Sequence, residues 1–319
     1  MPSYFKAVIW SVVLSLLGYA GWIALSEKEQ IALALSNLSW VDTCIILALS
    51  LVNYFLRFVR WQYYLVQLGH SVPIFQSLLI YLAGFALTTT PGKAGEAIRS
   101  LYLKPFGIDY ASSLAAFTTE RVSDIISMVL ISILALYTFH QYSWLAILLT
   151  TVTFSFVLMI QFGILSKFIL RFTFDTRHER VKKAANAVLS LLNVIQPLVT
   201  HRALLIGTLI GLIAWGAEAF ALSYLVSALG YPTPVFLTAG IYAIAVIVGA
   251  VAFLPGGLGG TEAAMSLLLI AAGLNHETAL TATIVCRLTT LWFAVIIGMI
   301  IMLWMTLRPQ LIQPKISSP

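Results

Sequence analysis

Apolar stretches long enough to cross about 30 Å of hydrocarbon recur along almost the whole chain, at 7–25, 42–64, 111–137, 144–163, 203–229 and 278–306. No other feature constrains the fold so strongly. Backbone inside a bilayer must satisfy its own hydrogen bonds, and a run of this length and composition does so as a helix. Only 9% of the 319 residues are charged and mean hydropathy is +0.96, so no stretch remains that would form a water-soluble domain. The sequence reads as an all-α polytopic membrane protein, one integral membrane domain over 1–319. The first stretch lacks an Ala-x-Ala cleavage site and precedes further spans, so it reads as a helix, with the mature chain expected to begin at Met1.

Orientation follows from the basic residues. Lys167, Arg171, Arg177, Arg180, Lys182, Lys183 and Arg202 gather in one polar stretch, 164–202, and positive charge beside spans marks the cytoplasm. Counting spans outward from there brings Lys6, Arg57, Arg60, Lys104, Arg308 and Lys315 to the same side and leaves Lys28 as the exception. Both termini are expected in the cytoplasm, and the protein in the inner or plasma membrane. Within the linker, Val181–Val199 sets Val188, Leu191, Leu192 and Ile195 against Lys182, Lys183, Asn186 and Asn193 at helical spacing. An interfacial helix fits, whose basic face either recognises anionic lipid or serves only to set topology.

The chain also repeats itself. Leu65–Phe75 aligns with Leu225–Phe236 after a one-residue adjustment, and an offset of 161 continues through Ile80-Tyr81 and Ile241-Tyr242. Pro91-Gly92-Lys93-Ala94-Gly95-Glu96-Ala97 then matches Pro255-Gly256-Gly257-Leu258-Gly259-Gly260-Thr261-Glu262-Ala263 with a small insertion. Glu96 and Glu262 each precede a glycine by 11 residues, Gly107 and Gly273, and 14 more lead to Arg121 and Arg287. The copies run over about 42–137 and 203–306, joined by the span at 144–163 and the basic linker 164–202. That odd number of crossings predicts that the copies are inverted, an arrangement by which transporters expose one site to either face in turn.

In each copy an apolar segment (73–90 and 234–253) leads into a Pro-Gly loop and then a segment too short to cross (95–105 and 262–272). These pairs read as re-entrant helical hairpins, giving about six full spans plus two hairpins, or eight membrane segments if the arms count as spans. Were 73–90 and 234–253 to span fully, Lys93, Arg99 and Lys104 would fall outside and weaken the charge asymmetry. Pro91, Gly92 and Gly95 in one loop, and Pro255, Gly256, Gly257 and Gly259 in the other, leave backbone amides free, which a membrane tolerates only against protein, water or a ligand.

Arg121 lies about 15 Å into its span at ~1.5 Å per residue, near the midplane, and Arg287 is equally deep. An intramembrane arginine points by default to a functional site. The alternative is glue between helices, Arg121 with Asp124 and Arg287 with Glu262 or Glu218. Glu96 and Glu262 either cap the helices that follow the loops or meet a headgroup amine or a proton. Lys93, Arg99, Arg121 and Arg287, set near helix starts, suit an anionic ligand, and with Glu96, Asp124 and Glu262 they make up the expected substrate-binding set. Arg57, Arg60 and Trp61 read as interfacial anchors or as headgroup contacts. Glu218, with no obvious local partner, could pair with Arg287 or contact a headgroup, and reads as a member of a buried network rather than as a proton carrier. The two cysteines, Cys44 and Cys286, and five scattered histidines form no metal-ligand spacing, so no metal is expected. Nucleophile-elbow, zinc-protease and phosphate-loop motifs are absent, so neither catalysis nor a cofactor is expected, and no nucleic-acid partner.

Pro91-Gly92-Lys93-Ala94-Gly95-Glu96-Ala97-Ile98-Arg99, Glu120-Arg121 with Asp124, and Leu254-Pro255-Gly256-Gly257-Leu258-Gly259 with Glu262 together resemble the transmembrane region of lysylphosphatidylglycerol synthases, the flippase-like domain family. In bifunctional members of that family this region is associated with moving aminoacylated lipid between leaflets, while a cytosolic domain makes the lipid with aminoacyl-tRNA. The present chain ends in a short tail at Pro319, so the resemblance implies a stand-alone member. Some of these are associated with hopanoid or glycolipid pathways. The implied function is a flippase-like transporter of an anionic phospholipid, polyprenyl phosphate or glycolipid. Alternatives are a lipid-phosphate-binding accessory subunit or transferase, and a carrier of small organic anions.

Overall fold

The computed structural model describes residues 36, 38–137, 143–173, 179–252 and 254–313, and every regular element among them is helical. In chain order these are α1 (Trp40–Gln67), α2 (Ile74–Gly84), α3 (Arg99–Leu103), α4 (Tyr110–Ser132), α5 (Ser143–Gln161), α6 (Ile164–Thr173), α7 (Glu179–Ile195), α8 (His201–Ala228), α9 (Val235–Val251), α10 (Gly260–Ala271), α11 (His276–Arg287) and α12 (Phe293–Leu307). A π turn, Leu288–Trp292, joins α11 to α12. The span expected at 7–25, and Lys6, Lys28, Arg177 and Lys315 of the topology argument, lie outside the described residues.

The helices are inside-out relative to those of a soluble protein. α1 exposes Leu51, Val52, Phe55 and Val59 while burying Ser50, Asn53, Arg57 and Arg60. Apolar surface turned outward and polar groups turned inward are what a lipid solvent selects. Three helices are long and apolar enough to cross: α1, α8 and the continuous His276–Leu307. α4 has the length of a span but carries Glu120, Arg121 and Asp124 at its middle. The span expected at 144–163 is bent, with Thr150–Gln161 and Ile164–Arg171 meeting at 75°, so the start of the expected polar linker is itself helical. Gly163, at φ +64°, permits that corner. The expected interfacial helix is α7 with the 3-10 turn Gln196–Val199; Leu192 and Ile195 are buried, whereas Val188 of the expected apolar face is exposed.

α1 and α8 are both 28 residues long and start and end 161 residues apart. Their caps agree as well: Ser39 accepts from the Asp42 amide, and Thr200 from the Ala203 amide. The two pack antiparallel. Tyr224 donates to Asp42 at 2.7 Å at one end, Asn53 donates to the Ala214 carbonyl at 2.9 Å in the middle, and Gly207 faces Tyr64 at the other end. The later caps recur at an offset of 166: Asp109 accepts from Ser112 before α4, and Asn275 from Thr278 before α11.

α2 with its 3-10 extension Phe85–Leu87, and α9, are apolar but short. The segments after them differ. Pro255–Gly257 is a single turn before the regular helix α10. The first-copy counterpart, expected as a helix over 95–105, is a 3-10 run Pro91–Ile98 followed by only five α-helical residues. Its Gly95 amide is taken by the Thr90 hydroxyl at 2.7 Å, and Lys93 stands at φ +57°. Both features divert the backbone from regular α geometry.

The stretches expected as copies, 42–137 and 203–306, are interleaved rather than side by side. α12 packs on α2 and its 3-10 extension, with Gly298 against the main chain of Phe85 and Ala86. Reciprocally, α4 and its 3-10 extension Ile133–Tyr137 pack on α9, with Gly240 against Ala135. The Pro91–Ile98 and Pro255–Gly257 segments then meet near the centre.

Candidate anion-binding site

Against those meeting loops the structure gathers charge from four elements, Arg57 and Arg60 from α1, Lys93 and Glu96 from the first loop, Arg99 from α3, and Glu120, Arg121 and Asp124 from α4, with the Trp215 indole of α8 beside them. Arg99 is the keystone. Its Nη2 donates to Glu96 at 2.6 Å and its Nη1 to Glu120 at 2.8 Å, while its guanidinium lies 4.2 Å from the Tyr81 ring centroid and 5.0 Å from that of Trp61. Gly84 makes room for it, since a Cβ there would come within 2.6 Å of Arg99 Nε. Glu96 is further fixed by the Thr88 hydroxyl at 2.9 Å, and Tyr81 reaches Glu120 at 3.4 Å.

Asp124 holds the other side. Its Oδ1 accepts from Arg60 at 2.5 Å and from the Trp215 indole at 2.7 Å, and its Oδ2 lies 3.2 Å from Arg121. Between these two carboxylate anchors the cations are under-matched. Among the described residues the one carboxylate within 4.0 Å of Arg57 is Glu96, at 3.9 Å, and its guanidinium sits between the rings of Phe85 and Trp215 at 5.4 and 5.2 Å. Nε and Nη2 of Arg57, Nε and Nη1 of Arg60, and Nε of Arg121 are buried without a hydrogen-bond partner, and Nη2 of Arg121 has only its ion-pair contacts with Asp124 and Glu96. Lys93 adds a fifth cation, its Nζ 5.3 Å from the Trp215 ring. Arg57, Arg60, Lys93, Arg99 and Arg121 thus face Glu96, Glu120 and Asp124, an excess of two positive charges. Arg121 is the most open of the arginines, with 18% of its side chain exposed against 5% for Arg57 and none for Arg60.

The second loop is built differently. Arg287 donates through Nε to Glu262 at 2.6 Å and through Nη2 to the Gly256 carbonyl at 2.6 Å. Glu262 in turn accepts from the Gly259 amide at 2.7 Å, capping α10. Arg287 is therefore a bracket between loop and helix. Glu218, which the sequence offered as its partner, instead accepts a hydrogen bond from Tyr242.

These positions sort the expectations. Arg57, Arg60 and Trp61, expected as interfacial anchors or headgroup contacts, are all buried in the bundle. Of the two readings open for these glutamates, Glu262 makes the capping contact, whereas Glu96 accepts from Thr88 and Arg99 and belongs to the ion-pair frame. Glu120, Tyr81 and Trp215 were not singled out for a role. A signal for Tyr81 was present, because the Ile-Tyr pair recurs in both copies and both tyrosines donate to a buried glutamate.

The sequence over residues 8–298 matches the family model described as the lysylphosphatidylglycerol synthase TM region. The chain belongs to that family. Among curated relatives, a UPF0104 membrane protein of Pyrococcus horikoshii is 24% identical over 272 residues, covering 77% of this chain and 81% of the relative. Two UPF0104 membrane proteins of Methanothermobacter thermautotrophicus are 24% identical over 275 residues, covering 76% and 77%, and 21% identical over 316 residues, covering 90% and 92%. Membership in the lysylphosphatidylglycerol synthase transmembrane family agrees with the inside-out helices and establishes a multi-pass membrane protein. The stretches that carried the resemblance, around Glu96 and Arg99, Glu120 to Asp124, and Glu262, are those that frame the charged centre.

Proposed function

We propose that this family member is a flippase-like transporter that moves an anionic lipid or lipid-linked headgroup between leaflets. The headgroup would be held by Arg57, Lys93 and Arg121 while its chains stay in the bilayer. The observation that carries this reading is the excess of buried guanidinium donors. A purely structural network gains nothing from leaving charged donors unmatched, each buried unsatisfied group costing about 1–3 kcal/mol or more. A phosphate offers several acceptor oxygens and one or two negative charges, which complements both the free donors and the charge excess. Of the other residues expected to bind, Glu96, Arg99 and Asp124 serve in this reading as the frame, and Glu262 and Arg287 set the second loop against it.

Alternating access is supported by the matching bounds and caps of α1 and α8, by their antiparallel packing, and by the contact of the two loops, all of which suit two inverted copies with re-entrant hairpins. Because α12 and α4 are exchanged between the copies, the moving bodies would be the interleaved bundles rather than the two halves of the sequence.

The test is reconstitution in liposomes with fluorescent phosphatidylglycerol and a labelled polyprenyl phosphate. Wild type is expected to move at least one of them between leaflets, and Arg57→Gln and Arg121→Gln to slow that movement at least about tenfold, the scale of a lost charge-assisted contact. Binding without translocation would favour the lipid-phosphate-binding subunit. Loss of both, with exchange of a soluble organic anion retained, would favour the carrier.

A further inference from the structure

Every buried carboxylate of the charged centre has a cation beside it, and Glu218 does not. Glu96, Glu120, Asp124 and Glu262 each lie within 4.0 Å of an arginine nitrogen, whereas among the described residues no Lys, Arg or His nitrogen comes that close to Glu218. Glu218 is 3% exposed, lies well inside the 28-residue α8, and has one hydrogen bond, from the Tyr242 hydroxyl of α9. An ionised carboxylate so placed is costly in a membrane interior, and one bound proton removes that cost.

Its surroundings link that proton to the anion site. Arg57 of α1 and Lys93 of the first loop lie 5.2 and 5.3 Å from the ring of Trp215, one helical turn before Glu218 on α8, and Tyr54, Cys286 and Arg287 are the other titratable groups whose charge reaches it. From α4, Arg121 and Asp124 approach the same centre but are engaged with each other at 3.2 Å. Tyr54 and Tyr242 donate to Thr290 and to Glu218, and Arg287 is held by Glu262. Of the three cations assigned to the anion, Arg57 and Lys93 are therefore those that act on Glu218 and have no hydrogen bond of their own among the described residues. Arg57 and Glu218 are also 161 residues apart, the same turn of α1 and α8.

We infer that Glu218 is a proton-binding site whose occupancy is linked to that of the anion site, so that an acidic headgroup and a proton travel together. This rests on the anion-site reading above. With the site empty, Arg57 and Lys93 are the counter-charges available to an ionised Glu218. A bound anion neutralises them and sets a second negative charge beside Glu218, which then takes a proton from water on the open side. The O–H bond formed there breaks when the anion leaves, returning the proton to water on the other face. Linkage makes the effect reciprocal: anion affinity rises as pH falls.

The full-length protein in nanodiscs, titrated with short-chain fluorescent phosphatidylglycerol between pH 5.5 and 8.5, tests this. Wild-type affinity is expected to fall at least about fivefold towards high pH, the low end of typical site coupling. Glu218→Gln, a mimic of the protonated state, is expected to bind with nearly the same affinity throughout. A Glu218→Gln variant that retains the wild-type pH dependence, or a wild type that binds without any, overturns the inference and leaves the anion site standing. Infrared spectra supply a readout independent of lipid. A protonated-carboxyl band that grows on acidification in wild type and is absent from Glu218→Gln supports the proton site even if phosphatidylglycerol fails to bind, a failure that would count against the anion-site reading alone. No difference in that band at any pH overturns it.

Discussion

Arg99 and Glu120 form an ion pair at 2.8 Å with the arginine side chain 1% exposed and the glutamate fully enclosed. The same guanidinium carries Glu96, so one cation satisfies two buried carboxylates from different elements. Truncating one partner of such a set leaves uncompensated charge in low dielectric, which costs about 3–5 kcal/mol. Arg99→Met is therefore expected to abolish the folded protein or lower its thermal midpoint sharply in detergent. Unfolding monitored by fluorescence-detected size exclusion checks it. A stable Arg99→Met protein would show that Glu96 and Glu120 do not depend on it.

Arg57 should respond in the opposite way. It is as enclosed as Arg99, yet its nearest carboxylate oxygen is 3.9 Å away and Nε and Nη2 are unbonded. Removing an under-satisfied buried cation spares its desolvation cost, which a contact at 3.9 Å offsets poorly. Arg57→Met is expected to unfold no earlier than wild type while losing phosphatidylglycerol binding by tenfold or more, at about 1.4 kcal/mol per decade. The pair of measurements separates an arginine kept for its ligand from one kept for the fold.

Much of this was legible in the chain because lipid imposes so few solutions. Span length fixed helices, and the recurrence of Gly69 with Gly230, Gly107 with Gly273 and Pro73 with Pro234 marked helix ends that the structure places in matching positions. The charged centre was less so. Arg57 and Arg60 lie within three turns of the C-terminal end of α1, and a one-dimensional reading cannot distinguish a helix end that reaches water from one covered by other helices. Trp215 was hidden for a related reason. Its partner Asp124 is 91 residues away, and an indole inside an apolar span carries no local sign that its N–H is committed. The interleaving of α4 and α12 also leaves no trace in periodicity, because an apolar helix face looks the same whichever neighbour it meets.

The second loop invites a double-mutant test. Glu262 joins Arg287 to the Gly259 amide, so losing it removes an ion pair and a cap at once. Glu262→Gln keeps an acceptor for the amide but loses the charge. The coupling energy between Glu262→Gln and Arg287→Gln in thermal unfolding is expected at about 1–3 kcal/mol, as for residues in one buried network. A value near zero would mean that the two act separately, and Arg287 would then be free for a ligand.

Lys93 offers the sharpest separation of backbone from charge. Among described non-glycine residues it alone has positive φ, at +57°, whereas the other loop meets the same need with Gly256 and Gly257 at +63° and +68°. An L-residue in the left-handed region costs about 1–2 kcal/mol, a cost glycine would avoid. If only the turn mattered, glycine would be the better residue in both loops. The lysine must then contribute something that offsets the strain, and its ammonium over the Trp215 ring, beside the free donors of Arg57, is where that contribution lies. Lys93→Gly is therefore expected to raise thermal stability slightly, by up to about 1 kcal/mol once glycine's greater unfolded-state freedom is subtracted, while weakening phosphatidylglycerol binding several-fold. Lys93→Met, which retains the strain and removes the charge, should lose binding equally without the gain in stability. Unimpaired binding in both variants would take Lys93 out of the anion site and leave its backbone geometry without a physical account.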